Sequence, residues 1–286
     1  MDHTVARRMW QLLEPIHAVI YFAPEAKQAY TAAGLRGGWM GYFASRAAAM
    51  GAVPPEMVIA TFYNFHPRMV RRAIPDAWAF STPEKVLRAR LEVADSALRR
   101  LLGSEIESDH IGAAAEIARR IAEAAEPPGR PLFAAHAALS WPDQRHLVLW
   151  HAATLLREHR GDGHVAMLLA NEIDGLAAHV LIATDYETPA EMQRANRGWS
   201  EEEWAVAEDR LLVRGLIDAS GLTDAGRRLR AHIEDTTDRL ALPPFAEVGA
   251  RDCETLEAHL VEINRMTAGA AVPFPNPMGL PRAAGV

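Results

Sequence analysis

The seven residues EHRGDGH, Glu158 to His164, combine side chains that could support several kinds of chemistry. Two histidines and Asp162 are potential metal ligands. Arg157 and Arg160 beside a helix N-terminus would bind an anion. The stretch also contains Arg-Gly-Asp, the integrin-binding tripeptide, although that function needs a secreted protein. The preferred interpretation is a turn between two helices, with glycines supplying the turn and Asp162 capping a helix that begins near His164.

Histidines and aromatic residues give a second set of candidates. His17 and His136 occupy matching positions in two similar segments, so they are candidates for acid-base chemistry or for ligating a metal or haem. Tyr21, Trp39 and Tyr63 belong to a dense supply of aromatic residues suited to an apolar ligand pocket. For each residue the structural alternative is a hydrogen-bonded histidine or a core aromatic. The predicted ligand-binding residues are therefore His17, Tyr21, Trp39, Tyr63, His136, Arg157, Arg160 and His164.

Several common catalytic and cofactor motifs do not occur in the sequence. There is no HExxH, no paired HxH, no GxSxG, no Walker loop and no GxGxxG. No metal is predicted, the cofactor is left unknown, and whether a reaction is catalysed is left open.

The composition is that of a globular protein with one large or two ordinary domains. The chain has 286 residues, of which 49% are hydrophobic and 23% charged, and a formal charge of -7. That charge gives no general attraction to nucleic acid or anionic membranes. The single cysteine, Cys253, excludes an intramolecular disulfide. Without a secretory N-terminus or an apolar run near the roughly 20 residues that span a bilayer, a cytoplasmic protein is expected, with no membrane partner.

Hydrophobic periodicity predicts helices along most of the chain. The segment from Thr82 to Gly103 has a cap, a proline at the first helical position, an apolar stripe and a terminal glycine. Ser200 and Glu203 form a capping box at the start of another helix. The stretch EPPGRP, residues 126–131, predicts a linker, and the end of the chain predicts an extended tail.

The two sides of that linker resemble each other. The paired landmarks are His17 with His136, Pro24 with Pro142, Arg36-Gly37 with Arg160-Gly161, Ile59-Ala60-Thr61 with Ile182-Ala183-Thr184, and Tyr63 with Tyr186. This pattern predicts a tandem duplication. The expected fold is mainly α, with a first lobe over 1–126, a second over 132–240, and an extended C-terminal tail over 241–286.

The segment WSEEEWAVAEDRLLVRGLIDASGLTDAGRRLRAHIEDTTDRLA, which begins at Trp199, resembles the second half of a winged-helix domain of the MarR type. With LREHRGDGH and the N-terminal EPIHAV, most of the chain resembles an uncharacterised actinobacterial helix-turn-helix family. The resemblance implies two winged-helix-like lobes that form a pseudo-dimer, with a ligand cleft between the DNA-reading part and the dimer helices.

Charge argues against DNA binding by the second lobe. From Ser200 to Arg214 five acidic residues face two arginines, a net charge of -3, and the short wing DASG has no basic residue. Specific DNA binding is therefore predicted to be unlikely, although the first lobe is more basic. The expected function is a small-molecule-binding protein, and its alternative is a MarR-like transcriptional regulator that binds DNA. Homo-oligomerisation is left open.

Overall fold

A computed structural model describes residues 1–185, 189–267, 270–276 and 278, and it confirms that the fold is mainly α. The helices before the predicted linker are α1 (Thr4–Phe22), α2 (Glu25–Ala32), α3 (Gly38–Ala47), α4 (Pro55–Phe62), α5 (Pro67–Arg71), α6 (Asp76–Phe80), α7 (Pro83–Leu102) and α8 (Asp109–Glu123), with 3-10 turns at Ala48–Met50 and Gly103–Glu107.

A central helix and a small antiparallel hairpin distinguish the second part of the chain. Strand β1 (Ile217–Asp218) pairs with β2 (Gly221–Leu222). The helices are α9 (Pro131–Ala137), α10 (Arg145–Ala170), α11 (Gly175–Asp185), α12 (Ala190–Arg197), α13 (Glu201–Val213), α14 (Asp224–Ala241), α15 (Pro243–Val248) and α16 (Ala250–Thr267).

Two groups of buried apolar residues organise these elements. The first core takes residues from 6–156 and again from 241–263, whereas the second core takes residues from 168–233. Helix α10 contributes to both, because its 26 residues run from one core to the other. We call residues 168–233 the second unit. Among the described residues, the boundary between the two cores therefore lies near the end of α10 and not at the predicted linker.

The sequence predicts helix ends correctly where a residue next to the helix supplies the cap. At the start of α7 the Thr82 hydroxyl accepts a hydrogen bond from the Lys85 amide at 3.3 Å, and Gly103 ends the helix with a positive φ of 53°. At the start of α13 the Ser200 hydroxyl accepts from the Glu203 amide at 3.1 Å, while the Glu203 carboxylate accepts from the Ser200 amide at 2.9 Å. The predicted capping box is therefore confirmed.

The turn predicted at EHRGDGH is wrong, because residues 158–164 lie inside α10. Asp162 does cap a helix, but a different one. One of its carboxylate oxygens accepts hydrogen bonds from the amides of Leu132 and Phe133, at 3.0 and 2.9 Å, in the first turn of α9. Asp162 was predicted to cap the helix that follows it, but it caps a helix that lies earlier in the chain.

The expectation of an extended tail is also wrong over much of 241–286. Helices α15 and α16 occupy 243–267, and α16 packs on α1 and α8. The Asn264 side chain donates a hydrogen bond to the Leu12 carbonyl at 2.8 Å. The start of the predicted tail therefore belongs to the first core.

The tandem pseudo-dimer stays a prediction. Thr61 and Thr184 both lie near the ends of their helices, and each hydroxyl donates to the carbonyl four residues earlier, at 2.8 and 2.7 Å. The matching histidines, however, lie on helices of 19 and 7 residues. The break between α2 and α3 has no counterpart within α10. The paired Tyr186 lies outside the described residues.

Among the residues that the structure describes, none of the helices by itself has both the length and the apolar composition that a bilayer span requires. Helices α10 and α11 reach that length and composition only as a pair bent by 97°.

Candidate functional site

A cavity of about 830 Å³ lies between the first core and the second unit. Helices α1, α3, α4 and α10 form one side of it, and α11, α12 and α14 close the other. This volume is typical of a site for a small organic molecule. A smaller depression of about 380 Å³ at the β hairpin is lined mostly by polar turn residues.

Aromatic rings form the first-core wall of the cavity. Tyr42 is the central ring, and its centroid lies 5.1 Å from that of Tyr21, 5.8 Å from Trp39 and 5.4 Å from Phe65. Trp39 is 40% exposed and therefore reaches the mouth of the cavity. Such a wall favours a planar, largely apolar ligand.

A buried ion network forms the floor. Two nitrogens of Arg46 donate to the two oxygens of Glu158, at 3.0 and 2.9 Å. Arg157 bridges Glu158, at 2.9 Å, and Glu14, at 3.3 Å. Although burial raises the pKa of Glu158, Arg46 and Arg157 hold it well below its ordinary value, so the carboxylate is charged.

A second ion network lies on the α14 side. Arg160 contacts the carboxylates of Glu234 and Asp238 at 2.8 and 2.9 Å, and its guanidinium lies 4.6 Å from the Trp10 ring centroid. The His164 ring shares a hydrogen bond of 3.1 Å with Thr237. Because Arg160, like Arg157, already pairs with carboxylates, an anionic ligand at either residue would have to compete with these pairs.

A chain of three side chains connects α1, the cavity and α10. Nε2 of His17 lies 3.0 Å from the Tyr21 hydroxyl, and Nδ1 of His17 lies 3.0 Å from the Thr154 hydroxyl. Burial, and then the charge of Arg157, hold the pKa of His17 well below its ordinary value, so its ring is neutral.

The second unit contributes a buried polar wall. His179 on α11 is 3% exposed, and its ring lies beside the buried side chain of Gln193 on α12. Burial, followed by the charge of Arg197, keeps the pKa of His179 well below its ordinary value. Arg197 on α12 lies 4.7 Å from the Phe65 ring centroid, and burial lowers its pKa to about 10. A neutral imidazole carries one donor and one acceptor.

The predicted site residues are distributed unevenly around this cavity. His17 lies behind the wall, where it contacts Tyr21, and His136 is buried on α9 without lining the cavity. Those that line the cavity are Tyr21, Trp39, Tyr63, Arg157, Arg160 and His164. Within the described residues no group of three or more potential ligands is placed to hold a metal ion.

The lining residues that were not among the predicted site residues include Tyr42, Arg46, His179 and Arg197. The sequence does contain an indication of Arg46, because it is the one charged residue in the mostly apolar helix α3. His179 and Arg197 face the cavity only because the second unit packs against the first core, and no local pattern reports that packing.

One segment, Thr61 to His66, contacts the cavity and the second unit at once. Residues 61–65 line the cavity. On the other side the Trp199 indole donates to the Asn64 carbonyl at 3.1 Å, and the His66 amide donates to the Arg197 carbonyl at 2.8 Å. The Tyr63 hydroxyl donates to the Ile173 carbonyl at 2.5 Å. We call this segment the connecting segment.

The elements it contacts form two helices joined by a tight turn. Helix α12 ends at Gly198, which has a left-handed φ of 78°, and α13 starts after Ser200. The ring centroids of His66 and Trp199 lie 4.6 Å apart, and Nε2 of His66 lies 2.9 Å from the Glu203 carboxylate. The α12–α13 turn is thus held by the connecting segment.

This arrangement agrees with a comparison with known families. A family model described as a helix-turn-helix family matches residues 6–273, and the chain belongs to this family. No curated protein and no solved structure matches the chain. The MarR-like and actinobacterial resemblances stay predictions.

The expectation that specific DNA binding is unlikely is contradicted by membership of a helix-turn-helix family. The charge argument considered α13 and the short wing apart from the more basic first lobe, although the fold brings basic residues of α5 to the α12–α13 turn. Arg68, whose side chain is 72% exposed, lies 3.4 Å from Glu203, and the exposed Arg71 follows on the same helix. The charge near a helix is set by the folded neighbourhood and not by its own sequence alone.

Proposed function

We propose that the protein is a DNA-binding regulator whose DNA affinity is controlled by a small molecule in the cavity. Family membership and the α12–turn–α13 arrangement support the DNA-binding part. The order α11, α12, α13 and β hairpin also matches a winged-helix unit, with α13 as the helix that enters the major groove.

The connecting segment is the observation that carries the proposal. Phe62 and Phe65 belong to the aromatic wall, while Asn64 and His66 hold the α12–α13 turn. A ligand that moves the wall therefore changes the support of the turn. Control requires that the ligand bind more tightly to one position of the turn than to the other.

Both sides of the cavity support a small-molecule ligand. The aromatic wall supplies area for a planar molecule, and His179 and Tyr42 supply polar groups at its surface. Because the two walls belong to different cores, a bound molecule would contact the first core and the second unit together.

Selection from random-sequence duplexes at about 0.15 M salt tests DNA binding. The wild-type protein is expected to enrich one sequence motif. Val206→Asp, at a 58% exposed position on α13, is expected to abolish the enrichment without loss of folding. Absence of a motif with the wild-type protein would contradict the proposal.

The control by ligand is tested with the selected duplex. A compound that raises the melting temperature of the protein is expected to change its DNA dissociation constant several-fold. If every stabilising compound leaves the DNA dissociation constant unchanged, the cavity does not control DNA binding.

A further inference from the structure

The burial of Thr154 determines the direction of hydrogen bonds in the chain Thr154–His17–Tyr21. The side chain is 0% exposed, and within the described residues its hydroxyl has one partner, Nδ1 of His17, at 3.0 Å. A buried hydroxyl proton without an acceptor is costly, so Thr154 donates to Nδ1. The neutral ring then carries its proton on Nε2 and donates it to the Tyr21 oxygen, 3.0 Å away.

The Tyr21 hydroxyl proton is consequently left for the cavity. His17 is the one hydrogen-bond partner of this hydroxyl in the described part of the chain, and it already uses the oxygen as an acceptor. Burial raises the pKa of Tyr21, so the phenol keeps its proton. Tyr21 lines the cavity, where it therefore presents a donor.

The surroundings of this donor indicate what it would bind. The Tyr42 ring lies 5.1 Å from the Tyr21 ring, and the guanidinium of Arg46, which also lines the cavity, is paired with the Glu158 carboxylate at 3.0 and 2.9 Å. A phenol hydroxyl that has no protein acceptor for its proton among the described residues favours a ligand oxygen that accepts this hydrogen bond. Phe62 and Phe65 complete an apolar wall next to it.

From this geometry we propose that the cavity binds a planar aromatic carbonyl compound, whose carbonyl oxygen accepts a hydrogen bond from the Tyr21 hydroxyl. The inference rests on the proposed function, since it names the ligand class of the same cavity. The ring system would lie against the aromatic wall, and the carbonyl would face the His17–Tyr21 pair.

Two probes of nearly equal shape test the inference on the full chain by calorimetry. 2-Acetylnaphthalene carries the carbonyl, and 2-ethylnaphthalene replaces it with a methylene group. The ketone is expected to bind at least tenfold more tightly, because a buried donor is left unpaired by the hydrocarbon. Equal affinity for the two probes would overturn the inference with the wild-type protein alone.

Tyr21→Phe assigns the effect to one hydroxyl. This variant is expected to bind 2-ethylnaphthalene as the wild type does, which reports an intact cavity, and to reduce the preference for the ketone to less than twofold. Tyr30→Phe is the matched control, because Tyr30 is buried but does not line the cavity. It is expected to keep the tenfold preference.

The outcomes separate the two proposals. An undiminished preference for the ketone in folded Tyr21→Phe overturns the inference and leaves the ligand cavity in place. Failure of both probes to bind the wild-type protein overturns the inference and removes support for ligand control, whereas the selection of a DNA motif tests DNA binding independently.

Discussion

Gly161 and Gly163 lie two residues apart in the interior of α10, yet their surroundings differ. A Cβ atom at Gly161 would lie 3.7 Å from its nearest neighbours, an ordinary contact, whereas one at Gly163 would lie 2.7 Å from Nη1 of Arg130. Arg130 uses its two terminal nitrogens to donate to the carbonyls of His159 and Leu240. Gly163 therefore provides space for an arginine that joins α10 to the end of α14.

This difference predicts opposite outcomes for two similar substitutions. Gly161→Ala is expected to raise the free energy of unfolding by about 1 kcal/mol, because alanine favours the helix interior over glycine. Gly163→Ala is expected to give no gain or a loss, because the new methyl group displaces Arg130 from its carbonyls. Urea unfolding measures both changes. Equal stabilisation by the two substitutions would show that the Arg130 contact is unimportant.

Asp162 predicts a dependence of stability on pH. Burial raises its pKa from the ordinary 3.8 to about 6, although the amides of Phe133 and Leu132 act in the opposite direction. A carboxyl group with a raised folded-state pKa stabilises the fold below about pH 4 and loses that contribution as pH rises through about 6. Asp162→Asn, which keeps a capping oxygen, is therefore expected to gain stability relative to the wild type across this range.

Unfolding free energies from pH 3.5 to 7.5 measure that gain, with Asp143→Asn, at an exposed position on the loop before α10, as the control. The control is expected to follow the wild-type curve. A constant difference between Asp162→Asn and wild type over the whole range would contradict a raised pKa for Asp162.

At the scale of elements, the sequence predicts those helices whose ends are satisfied locally. Thr82 and Gly103 bound α7, and Ser200 bounds α13, because the chain near each end supplies the cap. The prediction of two helices within α10 is wrong. Gly161 and Gly163 were interpreted as turn residues, whereas both lie inside the helix and Gly163 makes space for Arg130. Helix α16 was missed after a composition shift, although its apolar residues complete the first core. These errors concern contacts between distant parts of the chain.

A substitution at the contact between Trp199 and the connecting segment is expected to weaken the effect of a cavity ligand on DNA affinity. Trp199→Phe keeps an aromatic ring next to His66 but removes the indole donor to the Asn64 carbonyl, a contact of 3.1 Å. The variant is expected to bind DNA and a cavity ligand separately, with a several-fold smaller effect of ligand on the DNA dissociation constant. Trp78→Phe, which removes an indole hydrogen bond to the Val53 carbonyl away from the cavity, is the control. Full ligand control in Trp199→Phe would show that the signal takes another route.

At the scale of the whole molecule, the cavity and the proposed DNA-binding surface each combine distant parts of the chain. The aromatic residue types were enough to predict Tyr21, Trp39 and Tyr63 as ligand-binding residues. These three line the cavity together with residues that were not predicted. Residue type could not predict His179, whose surroundings come from the packing of the second unit on the first core. For the same reason the acidic sequence of α13 gave the wrong expectation about DNA, because the arginines of α5 lie more than 120 residues earlier in the chain.

The arginines of α5 give the last prediction, which concerns DNA affinity. Arg68 is 72% exposed, and its contact with Glu203, at 3.4 Å, is an exposed ion pair of the kind that contributes little to stability. If the α12–α13 turn faces DNA, Arg68 is available to a phosphate. Arg68→Gln is then expected to weaken binding to all sequences alike and to lower the slope of log affinity against log salt by about 0.9, the effect of one lost phosphate contact. Arg119→Gln, on α8 and 44% exposed in an ion pair with Glu123, is the matched control and is expected to leave the slope unchanged. An unchanged slope in Arg68→Gln would mean that α5 lies away from the DNA, and equal losses in both variants would mean that only net charge matters.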